Sequence, residues 1–577
     1  MYILGINAYH ADSSAAIFKD GIMIAATEEE RFRRIKHWAG FPSQAIAFCL
    51  KEAGIELEQL EHIAIGRDPK AKFAKKIKFA LTHPSIGFNT LISRFKNAQQ
   101  VSSLEEEFAK HFKVSDKAAL KQKIHQVEHH RAHLGSAFFA SPFEESALLS
   151  IDGSGDFTTT MIGIGKGNNI EVIDSLDFPH SVGIFYTAFT QYLGFPYYGD
   201  EYKVMGLAPY GEAKYVDKVK QVIHFTDDGL FRLDLSYFEA TKSGVISYGD
   251  DHIPNVARLF SPKLEQLFGT ARQKDEELSQ YHKDIAASVQ RCTEQLIYHI
   301  LEALHKRTGL KQVCIAGGVA QNSVANGKIT RNTSFEKVYL PSAGHDAGIS
   351  MGAALYTYNQ ILGEPRKPAV WSAYTGAHFS NDEIEEYLKS RNITYRKLED
   401  DELYDVVSEQ LIQAGVVGWF SGRAEFGPRA LGGRSILADP RRNDVKEILN
   451  VKIKRRESFR PFAPSILKEY VDEYFEVNDV VPFMEKVFPI RLDMQAKIPA
   501  VTHVDGSGRL QTVDKDVSPR YYALIEAFRK KSGVPILVNT SFNENEPIVN
   551  SPEDALECYL RTKMDMLVLE NCVISRS

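Results

Sequence analysis

The chain has 577 residues, 44% apolar and 25% charged, a soluble globular composition with more residues than one hydrophobic core can serve. Its net charge of −6 excludes a global electrostatic footprint for nucleic acid. Five scattered cysteines with no C-x-x-C argue against a disulfide framework or a zinc finger and suit a reducing cytosol. The first residues lack the basic and apolar regions of a signal peptide, and no apolar run approaches the roughly 20 residues that span a bilayer.

Aliphatic runs and the Asp20-Gly21 turn predict three strands over residues 2–29, with the polar loop from Tyr9 to Ser14 between the first two. From Lys70 through Lys72, Lys75, Lys76 and Lys78 to Arg94 and Lys96, basic residues alternate with Phe, Ile and Leu. An amphipathic surface helix is the plain reading, and a membrane-surface helix the alternative. His129 and His133 stand four apart, on one face if the segment is helical, where neutral imidazoles can share a divalent metal. Surface or core histidines at that spacing are the bland alternative. Residues 146–174 repeat the opening arrangement: strand, the acidic turn Asp152-Gly153-Ser154-Gly155-Asp156, strand, Gly-rich turn, strand. The segment Gly199 to Gly211, dense in glycine, aromatic and charged side chains and including Lys203, reads as a pocket wall or a structural loop.

Leu278, Ile285, Val289, Cys292, Leu296, Ile300 and Leu304 predict one long amphipathic helix over 278–308, ended by Gly309. A buried strand, Val313 to Ala316, runs into Gly317-Gly318, whose backbone N–H groups are candidates to face phosphate. An ordinary tight turn is the alternative. Asn322 follows as a hydrogen-bonding partner for a sugar or base. Asp346, like Asp152, lies in a glycine-flanked turn. Mixed nitrogen and oxygen donors suit Fe(II), Mn(II) or Zn(II). The stretch from Glu364 to Trp371 reads as a linker, which divides the chain into 1–364 and 365–577.

The second part carries Arg423, Arg429 and Arg434 among glycines, then Lys454, Arg455, Arg456 and Arg460. Arginine forks held by Gly, Pro and Phe point to a rigid anion pocket. Arg509 and the run Asn539-Thr540-Ser541-Phe542-Asn543 supply further donors.

These motifs, in this order, resemble the NodU/CmcH O-carbamoyltransferase family over nearly the whole chain. The resemblance rests on Asp12-Ser13, Glu28-Glu29-Glu30-Arg31-Phe32, Lys36-His37, His129-His130-x-x-His133, Asp152-Gly153-x-Gly155-Asp156, Glu201 to Ala208, Gly317-Gly318-Val319-Ala320-x-Asn322, Gly427 to Gly432, Arg460 to Pro464 and Asn539 to Asn543. It implies an N-terminal α/β domain with the actin-like ATPase and sugar-kinase fold, similar to TsaD/Kae. It also implies a C-terminal YrdC-like α/β domain, whose Lys-x-Arg and Ser-x-Asn patterns match Lys454-x-Arg456 and Ser541-x-Asn543.

The resemblance further implies two steps. In the C-terminal domain carbamoyl phosphate and ATP give carbamoyl adenylate, with Arg423, Arg429, Lys454, Arg456 and Arg509 offsetting phosphate charge and Ser541 and Asn543 orienting the carbamoyl group. In the N-terminal domain His129, His133, Asp152 and Asp346 hold one divalent metal, Fe(II) by family analogy, with Mn(II), Zn(II) or Mg(II) as alternatives. Lys203, Gly317, Gly318 and Asn322 line the nucleotide. Asp12 is the first candidate general base and His37 the second. The expected acceptor is a hydroxyl of a sugar, antibiotic or other small metabolite, in a cytoplasmic enzyme that needs no nucleic acid and is a candidate homodimer. The family commonly has an aliphatic residue where Gln321 stands, which bears on acceptor identity.

Rival readings meet specific obstacles. A tRNA threonylcarbamoyl enzyme would want a broad basic surface, and a hydrogenase-maturation enzyme paired C-x-x-C zinc fingers. A plain sugar kinase or ATPase leaves the C-terminal arginines and Ser-x-Asn unused. A non-catalytic scaffold would not need two sets of paired ligands.

Overall fold

The computed structural model describes residues 1–82, 101, 103–249 and 251–576. They form two compact units: Met1–Ala325 with Ile329–Val370, and Trp371–Ser577 with Asn326–Lys328. Arg94 and Lys96 of the basic stretch lie outside the described residues.

The first unit is built twice on one plan. Strands β1 (Tyr2–Asn7), β2 (Ser14–Lys19), β3 (Ile22–Glu28), β4 (His62–Ile65) and β5 (Ile124–Gln126) form a sheet in the order β3-β2-β1-β4-β5. Strands β6 (Glu145–Gly155), β7 (Thr158–Lys166), β8 (Asn169–Asp177), β9 (Gln312–Ala316) and β10 (Lys337–Tyr339) form the second, β8-β7-β6-β9-β10. In each, the first three strands are an antiparallel meander, the fourth pairs parallel with the first and the fifth parallel with the fourth. The weak repeat in the sequence is thus a true duplication, and the architecture is the actin-like α/β fold that the resemblance implies. Each central strand is buried on both faces, which explains the near-continuous aliphatic runs Leu4–Ile6 and Ala147–Ile151.

Four helices position the site or shape the surface near it: α1 (Phe73–Thr82), α2 (His129–Phe138), α3 (Gln280–Thr308) and α4 (Ile349–Tyr356). The long helix α3 starts at Gln280, two residues inside the predicted start, and ends as predicted at Thr308, closed by Gly309 in the left-handed region at φ 68°. Among the described residues, no helix is long and apolar enough to cross a membrane. Helix α4 packs on β1, α2 on β6, and the two pack on each other. Glycine permits this crossing. A Cβ on Gly352 would lie 1.9 Å from the carbonyl oxygen of Ala132, and one on Gly135 2.7 Å from that of Gly352.

The structure redraws one predicted turn. Asp152 to Gly155 belong to β6, whose pairing with β7 is interrupted between Ile151 and Gly155. The hairpin turns instead at Asp156 and Phe157, with φ 49° and 79°. A bulge of this kind re-aims side chains while the strand continues.

The second unit is an α/β unit on a nine-stranded mixed sheet. Its strands are β11 (Arg396–Lys397), β12 (Val417–Phe420), β13 (Arg434–Ala438), β14 (Ala463–Leu467), β15 (Lys486–Pro489), β16 (Ser507–Val513), β17 (Ile536–Ser541), β18 (Met566–Leu569) and β19 (Cys572–Ser575). Their order is β11-β19-β18-β12-β13-β17-β14-β16-β15. Trp419, Ile436, Leu537 and Val538 anchor its core together with Leu524 and Phe528 of a helix over Pro519–Ser532.

Gly352→Val forces backbone apart at the α2–α4 crossing, a cost of about 3 kcal/mol. Urea denaturation followed by circular dichroism should show a lower midpoint for this variant, whereas Gly309→Ala, outside the crossing, should retain most of the stability.

Candidate active site

Helix α2 opens with His129 and places His133 one turn on, so both rings leave the same face. The extended end of β6 brings in Asp152, and the turn before α4 brings in Asp346. His129 Nε2 is 3.1 Å from Asp152 Oδ2 and 3.6 Å from Asp346 Oδ1. His133 Nε2 is 3.7 Å and 3.4 Å from the same two oxygens. One donor atom from each of the four buried residues lies within 4.8 Å of all the others. Gly155 stands against the His129 ring, where a Cβ would come within 2.0 Å of a ring carbon.

The other carboxylate oxygens are committed. Asp152 Oδ1 accepts the Gly318 N–H at 2.9 Å, and Asp346 Oδ2 contacts His10 Nδ1 at 2.6 Å. Asp156 Oδ2 accepts the backbone N–H of His129 at 3.0 Å and that of Asp68 at 2.8 Å, which fixes the start of α2. His130 plays no part in the cluster: its ring meets Ser150 Oγ at 2.7 Å and the Thr158 carbonyl at 3.0 Å. Burial and the adjacent His129 and His133 push its pKa well below the usual histidine range.

The four residues fit a divalent metal. Both ring nitrogens of His133 and Asp346 Oδ1 are buried without a hydrogen bond, in a setting where unpaired polar atoms are costly. Burial alone would lower the His133 pKa, but Asp152 and Asp346 lift it to about 9. Burial likewise opposes ionisation of the two aspartates, yet their histidine neighbours hold both below the usual carboxylate range. A cation can thus replace a proton that two carboxylates otherwise hold on an imidazole.

Beside this cluster, Asp12 Oδ1 meets His37 Nδ1 at 2.7 Å, and the His37 backbone N–H donates to Glu30 Oε2 at 2.8 Å. Both Asp12 and His37 sit at φ 57°, an uncommon conformation for residues with a Cβ and one that clusters at functional sites. Burial would lower His37, but Asp12 raises it.

Several expected nucleotide contacts have protein partners in this structure. Besides Gly318, the Gly317 N–H is taken, donating to Gly344 O at 2.7 Å. Asn322 exchanges two hydrogen bonds of 3.0 Å with the Gln290 amide on α3. Lys203 Nζ is 2.8 Å from Asp200 Oδ1. The glycine turn therefore orients Asp152, a role its sequence does not announce.

In the second unit the two short motifs converge. Lys454 Nζ donates to Asn543 Oδ1 at 2.6 Å, to Asn543 O at 2.9 Å and to Ser541 Oγ at 3.2 Å, with a further contact to Ser541 O. Arg456 Nε donates to Asn450 Oδ1 at 2.8 Å, and its guanidinium lies over the Phe462 ring at 4.9 Å. Burial and the neighbouring Arg429, Arg456 and Arg460 drive Arg509 well below the usual guanidinium range. Arg460 also pairs with Glu457 at 3.5 Å, and the concentration of cations around Arg509 suits an anion. Arg423 donates to Thr375 O at 2.9 Å. The buried Glu425 shapes the loop before β13, where Oε1 accepts the N–H groups of Leu431 and Gly433 at 2.7 Å. Arg434 is structural, buried over Phe420 and bonded to three backbone carbonyls.

One residue joins these sites without being singled out by sequence: His10, in the Asp12 loop, whose polar run is its only signal.

A cluster of arginines in one α/β unit and four buried residues that fit a divalent metal in the other suit a group-transfer enzyme, and comparison with known proteins states the group. Residues 2–355 match the carbamoyltransferase N-terminus family and residues 408–576 the carbamoyltransferase C-terminus family. The chain belongs to the NodU/CmcH carbamoyltransferases. It is 41% identical to an uncharacterized protein, sll1178, of Synechocystis over 100% of this chain and 97% of that one. Identity to the nodulation protein NolNO of Sinorhizobium fredii is 37%, over 99% of this chain and 80% of that one. It is 36% to the 3'-hydroxymethylcephem-O-carbamoyltransferase of Amycolatopsis lactamdurans, over 44% of this chain and 47% of that one.

His133→Ala should lower the metal content of purified protein, read by elemental analysis, while His130→Asn should retain it. The metal-free protein should also show a specific pH dependence. His133 has a folded pKa raised from 6.5 to about 9, so its contribution to stability is complete below pH 6.5 and is lost as pH rises through about 9. Thermal melting across that window should fall with pH in metal-free protein, and added divalent metal should oppose the fall.

Proposed function

We propose that the protein is an ATP-dependent O-carbamoyltransferase whose two units perform successive steps. The observation that carries this reading is the grip of Ser541 and Asn543 on Lys454, in the same unit as a cluster of four arginines. In that unit carbamoyl phosphate is hydrolysed to carbamate and phosphate. A carbamate oxygen then attacks the α-phosphorus of ATP, and pyrophosphate leaves. Arg423, Arg429, Lys454, Arg456 and Arg509, joined by Arg460, offset the phosphate charge, and Ser541 and Asn543 orient the carbamoyl group.

The carbamoyl adenylate reacts in the first unit. His129, His133, Asp152 and Asp346 would hold the metal, Fe(II) by family analogy, which when bound supplies Lewis acidity toward the adenylate. The acceptor oxygen attacks the carbamoyl carbon, and AMP departs. The 2.7 Å contact between Asp12 and His37 Nδ1 supports His37 as the base and Asp12 as its orienting carboxylate, the reverse of the order that sequence suggests. His37 Nε2 takes the acceptor proton; it has no hydrogen-bond partner among the described residues. Lys203, Gly317, Gly318 and Asn322 line the nucleotide side, where Gly318 acts through Asp152. The acceptor is a hydroxyl of a sugar, antibiotic or other small metabolite, a class supported by the cephem substrate in the name of one relative. A cytoplasmic enzyme, as monomer or homodimer, accommodates these steps without nucleic acid.

Incubation with ATP and carbamoyl phosphate should release pyrophosphate; release of ADP alone would favour a kinase. Lys454→Ala and Ser541→Ala should each slow adenylate formation on the order of 10²-fold, yet supplied carbamoyl adenylate should restore transfer. His37→Ala should show the converse, with normal pyrophosphate release and failed transfer to a hydroxyl acceptor found by screening with labelled carbamoyl phosphate.

A further inference from the structure

Helix α1 is turned inside out. Its ten residues, Phe-Ala-Lys-Lys-Ile-Lys-Phe-Ala-Leu-Thr, include no carboxylate. Phe73, Ile77 and Leu81 recur every four residues and are 63%, 45% and 78% exposed, so one apolar stripe faces solvent along the whole helix. The side toward the body is held by polar and aromatic contacts instead. Lys72 and Lys75 both pair with Asp177, and Lys76 Nζ donates to Pro69 O at 3.1 Å. Phe79 packs edge-on against Phe157 and Phe178, with centroids 5.5 Å and 5.2 Å apart. A helix that docks by its lysines and presents Phe, Ile and Leu outward reverses the usual arrangement of a surface helix. Lys70 and Lys78 are exposed around the stripe.

We propose that this face of α1 seats the protein on an anionic lipid surface. Apolar side chains enter the acyl boundary while flanking lysines reach the headgroups, the pattern of an interfacial helix. The absence of any acidic side chain on α1 fits that surface, even though the whole chain carries a net charge of −6. A protein partner would leave the exposed lysines without a stated counter-charge, whereas anionic headgroups supply one. The contact also lies close to the chemistry. Phe157, against which Phe79 packs, follows Asp156, and Asp156 Oδ2 holds the N–H of His129. Seating at α1 would thus bring the His129 cluster near the lipid surface, where an amphiphile can present its hydroxyl. Lipid docking at α1 does not depend on the carbamoyl chemistry.

The test uses full-length protein and sedimentation with vesicles of phosphatidylcholine alone or mixed with phosphatidylglycerol. Binding is expected to the mixed vesicles, weakening at high salt. The triple variant Phe73→Ser, Ile77→Ser, Leu81→Ser should bind at least about tenfold less, with unchanged thermal melting and pyrophosphate release. Lys70→Glu with Lys78→Glu should also weaken binding to the mixed vesicles. Absence of wild-type binding to them, or equal binding by the triple variant, overturns the proposal. So does self-association of the wild type that the triple variant abolishes while vesicle binding stays unchanged, since the stripe would then belong to a second copy.

Discussion

The first unit depends on two helices touching backbone to backbone. Where α2 and α4 cross, Gly352 leaves no room for a Cβ beside the Ala132 carbonyl. The helix carrying His129 and His133 is thereby held against the helix that follows Asp346. Each helix also lies on its own sheet, so the duplication of the fold becomes a pairing of ligands: two imidazoles and one carboxylate from the crossing, one carboxylate from the end of β6. A buried cluster of four titratable groups is stable only when its members are fixed relative to one another. Close-packed backbone provides that fixity better than side-chain packing, which repacks more readily.

The two units handle charge in opposite ways. In the first, buried carboxylates and imidazoles offset one another's charge. In the second, Arg429, Arg456 and Arg460 crowd positive charge onto Arg509, and Lys454 relies on neutral oxygens of Ser541 and Asn543. The first arrangement suits a resident ion, the second a visiting polyanion. The proposed division of the chemistry accords with this contrast, because an acceptor hydroxyl and a triphosphate ask for different surroundings.

Local patterns are legible in the sequence and pairings between distant segments are not. The four-residue spacing of His129 and His133 announces one helix face, and the aliphatic runs of residues 2–29 and 146–174 announce two similar meanders. The long helix after residue 278 is equally plain, because its apolar period persists over many turns. In contrast, the amide pairing of Asn322 with Gln290 joins α3 to the loop after β9, and nothing in either segment names the other. The same holds for the Gly318 N–H and Asp152, 166 residues apart. Glycines suggest phosphate, but this donor is needed for a carboxylate. The bulge in β6 reads as a turn because Gly and Ser look alike in both. His10 is invisible for a simpler reason: a lone histidine in a loop carries no spacing, and its meaning comes from Asp346, far along the chain.

The division of labour within each carboxylate has a consequence for the metal. Asp152 gives one oxygen to the Gly318 N–H and Asp346 gives one to His10. Each therefore has a single oxygen to offer, and each histidine a single nitrogen. The protein supplies four donor atoms and no chelate. An ion content with four ligands would find its shell complete and closed to substrate, whereas one that takes six would keep two positions for ligands from outside. In the proposed metal site, coordination number, more than affinity, would be what these four residues discriminate.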